Sequence, residues 1–224
     1  SNVTLDQYGK MLLGTNVQSA YTTISEMGID IFGLNCSTGP IEMEPSVQWL
    51  NDQKHKPLLI IPNAGMPENE GGQAVYKMTP EKMAKAMDSF LSEYPQINVI
   101  GGCCGTNPEH IKALRKVIDS QKKHWWDKYL EKINLKQVLL KQRVSSAIKS
   151  VDLKQEVGPL IIGERVNTQG SKKAKTLVLN DDFDGLVDLA RKQVEDGAHC
   201  IDVCVATTER SDEKDFMIKL VKSL

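Results

Sequence analysis

The amino-acid sequence predicts an α/β protein built on parallel sheets, and three observations predict it. Over the first half of the 224 residues, short apolar runs alternate with segments of helical period. This alternation occurs three times, which is typical of parallel strands with helices packed outside them. A further strand-helix-strand pattern follows near the C-terminal end, after a Lys- and Gln-rich stretch with few glycines.

The N-terminal segment, residues 1–120, accounts for the three repeated units. Residues 3–15 carry no clear element. The predicted helices begin at polar or proline caps, and glycine marks the end of the first. In order, we predict helix 16–27, strand 30–35, helix 42–53, strand 58–62, a loop over 64–78, helix 79–93, strand 97–100 and helix 108–120. The loop is long for a strand-to-helix connection, and such loops often serve as lids or binding loops.

The C-terminal segment, residues 158–224, follows a predicted linker over 121–157. It contains one strand-helix-strand unit and one more helix, which is too little for a closed core. We predict strand 160–163, a Gly/Ser/Lys loop, helix 182–196, strand 200–204 and a helix from 212 to the end.

The bulk composition excludes several classes of function. A net charge of −1 gives no reason to expect a nucleic acid or an anionic membrane as partner. No apolar run reaches the length of a membrane span, and the N-terminus lacks the features of a signal peptide. The five cysteines form no regular framework. We therefore expect a cytoplasmic protein rather than a secreted disulfide scaffold.

Candidate ligands follow the ends of three successive predicted strands. Cys36 follows the first, Asn63 the second, and Cys103 with Cys104 the third, within the stretch Gly101–Gly105. Because binding groups collect at the carboxyl ends of parallel strands, these side chains are predicted to converge. Buried cysteines are also common as small apolar residues, so the adjacent pair alone is ambiguous.

Three converging thiolates favour one particular chemistry. They suit zinc, which with three protein ligands keeps a fourth position open. Ligands on separate strand ends are far apart in sequence, unlike those of a zinc finger. Three thiolates give the site a net charge of −1, which disfavours the activation of water. A fourth thiol at the ion would be deprotonated and would stay nucleophilic, so the site favours attack by a substrate thiolate on an alkyl group.

The motifs carry a family resemblance. Gly33–Cys36 followed by Gly101–Gly105 resembles the homocysteine S-methyltransferase family, whose three zinc-binding cysteines stand in this pattern. Gly163–Asn167 with Gly170–Lys172 resembles the start of the pterin-binding, or methyltetrahydrofolate, barrel. Both modules in this order resemble the cobalamin-dependent methionine synthases. The resemblance implies parts of two (β/α)₈ TIM barrels joined by a linker.

For the first barrel, the resemblance implies its last part, roughly strands six to eight. It implies that Cys36, Cys103 and Cys104 hold Zn²⁺ and are the catalytic residues, with the sulfur of homocysteine as the fourth ligand. The thiolate then attacks the methyl group of methylcobalamin, which a module absent from this chain binds. Asn63 matches a position that reaches the metal without homocysteine; from the residues alone, a strand-end amide that bonds local backbone is equally well supported.

For the second barrel, the resemblance implies only its opening, with methyltetrahydrofolate as the methyl donor. Glu164, Asn167 and Asp202 match residues near the folate pocket. A surface ion pair and a helix cap are the alternative interpretation of the first two. Cys204 stands where Asn is expected in many relatives, which weakens the predicted folate contacts. Cys200 and Cys204 are expected to be plain strand residues.

The resemblance also implies a fragment. The other strands of both barrels and the cobalamin and reactivation modules are absent, so both partial sheets should present unpaired edges. We therefore expect this chain to be inactive alone.

Two other functions stay open at this point. A cobalamin-independent, betaine-type homocysteine methyltransferase would share the three cysteines but has no need of Gly163–Asn167. A non-catalytic zinc or redox module could use Cys103 and Cys104 as a switch, although vicinal cysteines bridge poorly.

Overall fold

A computed structural model describes residues 1–132 and 142–224, with side chains over 1–121 and 142–224. The chain divides into two compact units, which we call the first unit (Ser1–Ser150) and the second unit (Val151–Leu224). The predicted linker 121–157 lies partly outside the described residues. Its bounds, and those of the segments beside it, stay predictions.

The first unit is built on a four-stranded parallel sheet in the order β1-β2-β3-β6. These strands are β1 (Asn2–Val3), β2 (Phe32–Asn35), β3 (Leu58–Ile61) and β6 (Ile97–Ile100). The α/β class with a parallel sheet is confirmed. The prediction that residues 3–15 carry no clear element is partly wrong, because Val3 belongs to β1 and pairs with Leu34 of β2. A two-residue strand is too short to show a period of two.

Four helices follow these strands: α1 (Val17–Ser25), α2 (Pro40–Gln53), α3 (Pro80–Glu93) and α4 (Pro108–Lys132). Asn16 and Thr79 cap two of them by accepting from backbone N–H groups three residues on. The core lies between the sheet and the helices, with Phe32, Leu58, Met83 and Ile97 fully buried. The last of these helices continues twelve residues past its predicted end at 120, because no Gly or Pro interrupts residues 121–132.

The predicted loop over 64–78 is instead an antiparallel hairpin, and that expectation was wrong. Its strands are β4 (Pro67–Glu70) and β5 (Gln73–Tyr76), joined by Gly71 and Gly72. Both glycines have positive φ, 61° and 87°, as a two-residue hairpin turn requires. The strands were missed because β4 is wholly exposed and therefore has no apolar alternation.

Two short strands, β7 (Arg143–Ser145) and β8 (Ser150–Asp152), lie at the end of the predicted linker. The Arg143 guanidinium lies over the Trp49 ring, 5.2 Å from its centroid, and donates to the side chain of Gln53. Strand β7 therefore packs on α2 within the first unit.

The second unit contains β9 (Ile162–Asn167), α5 (Lys172–Leu179), α6 (Phe183–Glu195), β10 (Cys200–Cys204) and α7 (Glu213–Ser223). The two strands pair in parallel. Two expectations are corrected. The first strand runs four residues past its predicted end, so Glu164 lies within it. The Gly/Ser/Lys loop contains α5, which Ser171 caps. Among the described helices, none is both long and apolar enough to cross a membrane.

Candidate metal centre

Backbone hydrogen bonds join the three loops that follow β2, β3 and β6. Cys36 N donates to Ile61 O at 3.0 Å, and Cys103 N donates to Pro62 O at 2.8 Å. Ala64 N in turn donates to Cys104 O at 2.9 Å. The loop of β3 therefore lies between the two cysteine loops and is bonded to both. These backbone hydrogen bonds fix the positions of both cysteine loops against the strand and loop between them.

The structure brings the three predicted thiol ligands together. The Cys104 Sγ atom lies 3.8 Å from Cys36 Sγ and 3.9 Å from Cys103 Sγ. Cys36 and Cys103 are half-buried and Cys104 is exposed. Among the described side chains, these three form the only group of three or more His, Cys, Asp or Glu residues that could hold a metal ion, with all ligand atoms within 4.8 Å of one another. The cluster thus has one open side.

Cys36 reaches the cluster through an unusual backbone conformation. Its φ is 58° and that of the next residue, Ser37, is 63°. A left-handed conformation costs a residue with a Cβ about 1–3 kcal/mol, and such residues concentrate at functional sites. The conformation turns the chain sharply after β2, so the Cys36 sulfur stays at the strand end.

Two of the cysteines are joined in the structure. The sulfur atoms of Cys36 and Cys103 form a disulfide, and the Cα atoms of these residues are 5.6 Å apart. The vicinal pair Cys103 and Cys104, which the redox alternative invoked, is not the pair that is bonded. Disulfide sulfurs carry no charge, so a three-thiolate centre requires the two-electron reduction of this bond. The metal-bound and disulfide forms are therefore mutually exclusive.

Asn63 is buried beside the cluster. Its Oδ1 atom accepts from the backbone N–H of Cys104 at 3.2 Å. This contact corresponds to the local backbone bond that the residue type suggested, and it orients the Cys104 loop. The predicted approach of Asn63 to the metal stays a prediction.

Tyr76, at the end of the hairpin, is a neighbour of the cluster that the sequence did not single out. Its side chain lies next to that of Cys104. Desolvation and then the Cys104 charge raise the pKa of Tyr76 above its ordinary value. A Cβ atom on Gly105 would collide with Cβ and Cγ of Tyr76, so the ring lies directly on this glycine. The available signal is an aromatic residue inside the long loop predicted over 64–78.

In the second unit, the predicted folate residues lie on the paired strands β9 and β10, with Glu164 and Asp202 inside the strands and Asn167 at the end of β9. Asn167 Nδ2 donates to Asp202 Oδ2 at 2.7 Å and to Glu164 Oε1 at 3.5 Å. The strand register shifts between Ile201 and Val203, next to Asp202. Such irregularities redirect a side chain, and they recur next to active sites. The three predicted residues are thus in one hydrogen-bonded group.

Cys200 and Cys204 are strand residues, as expected. Both are half-buried with free thiols. Cys204 pairs in register with Asn167.

Comparison with known proteins identifies the family. A family model described as "Homocysteine S-methyltransferase" matches residues 1–118, more than half of the chain. The chain belongs to the homocysteine S-methyltransferase family. A second family model, described as "Pterin binding enzyme", matches residues 163–224. The predicted fold class, parts of two (β/α)₈ barrels, is confirmed, because both matched domains are of that class.

Two curated relatives match nearly the whole of this homocysteine S-methyltransferase chain. The methionine synthase of Mycobacterium tuberculosis is 34% identical over 216 residues, which are 96% of this chain and 17% of that protein. The methionine synthase of Mycobacterium leprae is 32% identical over 215 residues, again 96% of this chain and 17% of that protein. The chain thus spans about 17% of the length of these relatives. The resemblance to methionine synthases that the motifs indicated is confirmed.

Proposed function

We propose that this chain is part of a methionine synthase-type methyltransferase. A methyl group passes from 5-methyltetrahydrofolate, by way of cobalamin, to the sulfur of homocysteine, giving methionine and tetrahydrofolate. The order of the two matched domains supports this proposal, as do the names of the relatives. The cobalamin-independent alternative gives no reason for the pterin-binding match.

The observation that carries the proposal is the meeting of three sulfur atoms at one sheet edge. Zn–S bonds of about 2.3 Å to a tetrahedral ion put ligand sulfurs about 3.8 Å apart. The two separations that involve Cys104, 3.8 Å and 3.9 Å, fit this value. Once the disulfide is reduced, only the distance between Cys36 and Cys103 has to increase. The donor set therefore fits zinc.

Cys36, Cys103 and Cys104 would hold the ion, and the exposed side of Cys104 would leave the fourth position accessible. Zinc, when bound, supplies a position at which a substrate thiol is held deprotonated at neutral pH. The three thiolates keep the site negative, so the substrate sulfur stays nucleophilic. A reducing cytoplasm is the compartment in which all three cysteines stay available as thiolates.

In the second unit, Glu164, Asn167 and Asp202 would contact the pterin ring of the folate. A pterin presents several N–H donors and one carbonyl acceptor along its edge. Carboxylates accept from the N–H groups, and an amide can donate as well as accept. The contact between Asn167 and Asp202 would hold both side chains in place for this purpose. Modules of the longer polypeptide would bind cobalamin and reactivate it.

The test begins with metal analysis of the chain purified under reducing conditions. We expect about one zinc per chain, which is lost on Cys103→Ser and retained in Cys200→Ser. Homocysteine added to the zinc-loaded chain should release about one proton, since a bound thiol is deprotonated. The Cys200→Ser variant is a matched control, because it removes a cysteine from β10 and leaves the cluster intact.

Other results would contradict the proposal. A reduced chain that binds no zinc, with three reactive thiols in the first unit, would favour the redox module. Zinc lost on Cys200→Ser but not on Cys103→Ser would put the metal elsewhere. Methionine formation by this chain alone would refute the expectation that it is an inactive fragment.

A further inference from the structure

Backbone hydrogen bonds connect the cysteine cluster to the exit of the hairpin β4–β5. Ala64, in the loop after β3, donates through its N–H to Cys104 O at 2.9 Å. The carbonyl of Ala64 in turn accepts from Met78 N at 3.1 Å, just after the hairpin has ended. The backbones of Met78 and Cys104 therefore bond to the same residue from its two sides.

His110, in the first turn of α4, extends this series of hydrogen bonds. It is only 4% exposed, although its ring carries two polar nitrogens. The Nε2 atom lies 2.8 Å from Met78 O. Because a carbonyl oxygen only accepts, Nε2 carries a proton and donates it to this oxygen. The buried ring is thus bonded to the hairpin exit, which is 32 residues away in the chain.

The other ring nitrogen of His110 faces Asn107, the residue just before α4. The Nδ1 atom lies 2.8 Å from Asn107 Oδ1 and 3.3 Å from Asn107 N, so both of its contacts are with this one residue. Asn107 Oδ1 also accepts from the backbone N–H groups of Glu109 and His110, which caps the helix. His110 therefore spans from the hairpin exit to a residue that follows Cys104 by three positions.

These contacts close a ring around the Cys104 loop. The ring runs through Cys104, Ala64, Met78, His110 and Asn107, and returns along the chain to Cys104. Its link between the hairpin exit and α4 is a side chain, whereas the links at Ala64 are backbone hydrogen bonds. A substitution of His110 therefore opens the ring at one place and leaves those backbone groups unchanged.

We propose that His110 is a positioning residue of the metal centre. It holds the hairpin exit against the start of α4, and through Ala64 this keeps the Cys104 loop in place beside the other two sulfurs. An ion requires fixed distances to its ligands, and a loop that is already held loses less conformational freedom when it binds one. This inference rests on the proposed metal centre and assigns one more residue to it.

Two substitutions of His110 separate its two contacts. The side-chain amide of glutamine reaches the place of Nε2, and that of asparagine reaches the place of Nδ1. His110→Gln therefore still donates to Met78 O, whereas His110→Asn leaves this carbonyl without its donor. Loss of a group that supports metal ligands typically costs about 10–100-fold in metal affinity. Because His110 acts through the backbone, we expect His110→Asn to lose about tenfold, the lower end, and His110→Gln to stay near the wild type.

The test measures the Co²⁺ affinity of the whole reduced chain, because Co²⁺ bound by thiolates is seen directly in the absorption spectrum. Val47→Ala is the matched control. Val47 is fully buried in α2, so this variant lowers the stability of the first unit by leaving a cavity, and it takes no part in the ring. Far-UV circular dichroism checks that each variant keeps the fold.

A second measurement needs no variant. Coupling between two events is reciprocal, so a ring that favours metal binding must itself be stabilised when the metal binds. Zinc added to the reduced wild-type chain should therefore slow the hydrogen exchange of the backbone amides of Ala64 and Met78, which donate within the ring. NMR measures the two amides individually.

The possible outcomes are distinct. A loss of about tenfold in His110→Asn, with His110→Gln and Val47→Ala near the wild type, supports the proposal. An unchanged affinity in His110→Asn overturns it and leaves the metal centre intact. An equal loss in His110→Gln or in Val47→Ala also overturns it, since the contact with Met78 is then not the cause. Exchange of the Ala64 and Met78 amides that zinc does not slow overturns it even if His110→Asn fails to fold. A wild-type chain that binds no Co²⁺ overturns the proposed function and this inference together.

Discussion

The Cys36 and Cys104 sulfur atoms lie 3.8 Å apart, although 68 residues separate them in the chain. The parallel order of β2, β3 and β6 explains this proximity, because each cysteine follows the carboxyl end of its strand. An ion held between these sulfurs would link the loops of two non-adjacent strands. Metal binding should therefore be coupled to the stability of the first unit.

The first prediction follows from that coupling. A ligand that binds only the folded state at 100 times its Kd stabilises that state by about 2.7 kcal/mol. For a unit of this size, zinc should then raise the Tm of the first unit by about 5–10 °C. Scanning calorimetry of the reduced chain, with and without zinc, measures this shift.

The matched variants for this measurement are Cys104→Ser and Cys204→Ser. The first should abolish the zinc-dependent shift and the second should keep it, because Cys204 lies on β10 in the second unit. An equal shift in all three proteins would mean that zinc binds outside the cysteine cluster.

The second prediction concerns Asn63. Its side chain accepts from Cys104 N–H, so Asn63→Ala leaves a partly buried donor without its partner. An unsatisfied donor costs about 1–3 kcal/mol when it is fully buried, so a partly buried one belongs at the lower end of this range. We expect Asn63→Ala to lose stability of this order and to bind zinc more weakly. Chemical denaturation and a competitive zinc titration measure the two effects.

Asn63→Asp is the informative companion, since it retains an oxygen acceptor at the same place. It should retain more of the zinc affinity than Asn63→Ala. If the two variants weaken zinc binding equally, the Asn63 contact with Cys104 is not what supports the site.

The third prediction tests the packing between the β2 and β3 loops. A Cβ atom on Gly39 would lie 2.7 Å from Gly65 Cα, which is too close for backbone to accommodate. Gly39→Ala should therefore force the loops apart and destabilise the first unit by about 1–3 kcal/mol. Gly101→Ala is the control, because its Cβ would meet Ile61 at an ordinary 3.6 Å. Comparable losses in both variants would contradict this account.

Some of this architecture was predictable from sequence, and the reasons differ by element. Strand β6 was predicted at its observed bounds, 97–100, because Pro95 and Gly101 flank a short run that includes three apolar residues. The placement of Cys36 at a strand end follows from the same type of pattern. The bounds of β6 and the position of Cys36 therefore depend on local sequence alone.

Other features depended on contacts that no local pattern encodes. Strand β1 exists because Val3 pairs with β2, and the hairpin is stabilised by cross-strand contacts of exposed residues. Tyr76 contacts Gly105, beside Cys104, only because the hairpin projects in that direction. The disulfide between Cys36 and Cys103 likewise depends on how three loops meet. In each case tertiary pairing, rather than periodicity, decides the structure.

The last prediction concerns the acid stability of the second unit. Glu209 lies in the loop after β10 and contacts Lys175 of α5 at 2.7 Å. Its hydrogen bonds, first to Lys175 and then to Thr207, lower the pKa of Glu209 to about 2. An unfolded glutamate has a pKa of about 4.3. The folded state therefore favours the charged carboxylate.

The sign of the effect follows from this lowered pKa. The Glu209 contribution is fully present above about pH 4.3 and is lost as the pH falls towards about 2, because the folded state must then take up a proton. Both partners are partly exposed, so solvent screening keeps the contribution small. Glu209→Gln should be less stable than the wild type at neutral pH, and the difference should vanish near pH 2. Urea denaturation across this range measures it. A stability difference that stays constant with pH would show that Glu209 acts through packing. In a Lys175→Met variant, NMR titration should find the pKa of Glu209 raised, which would confirm the ion pair as the cause.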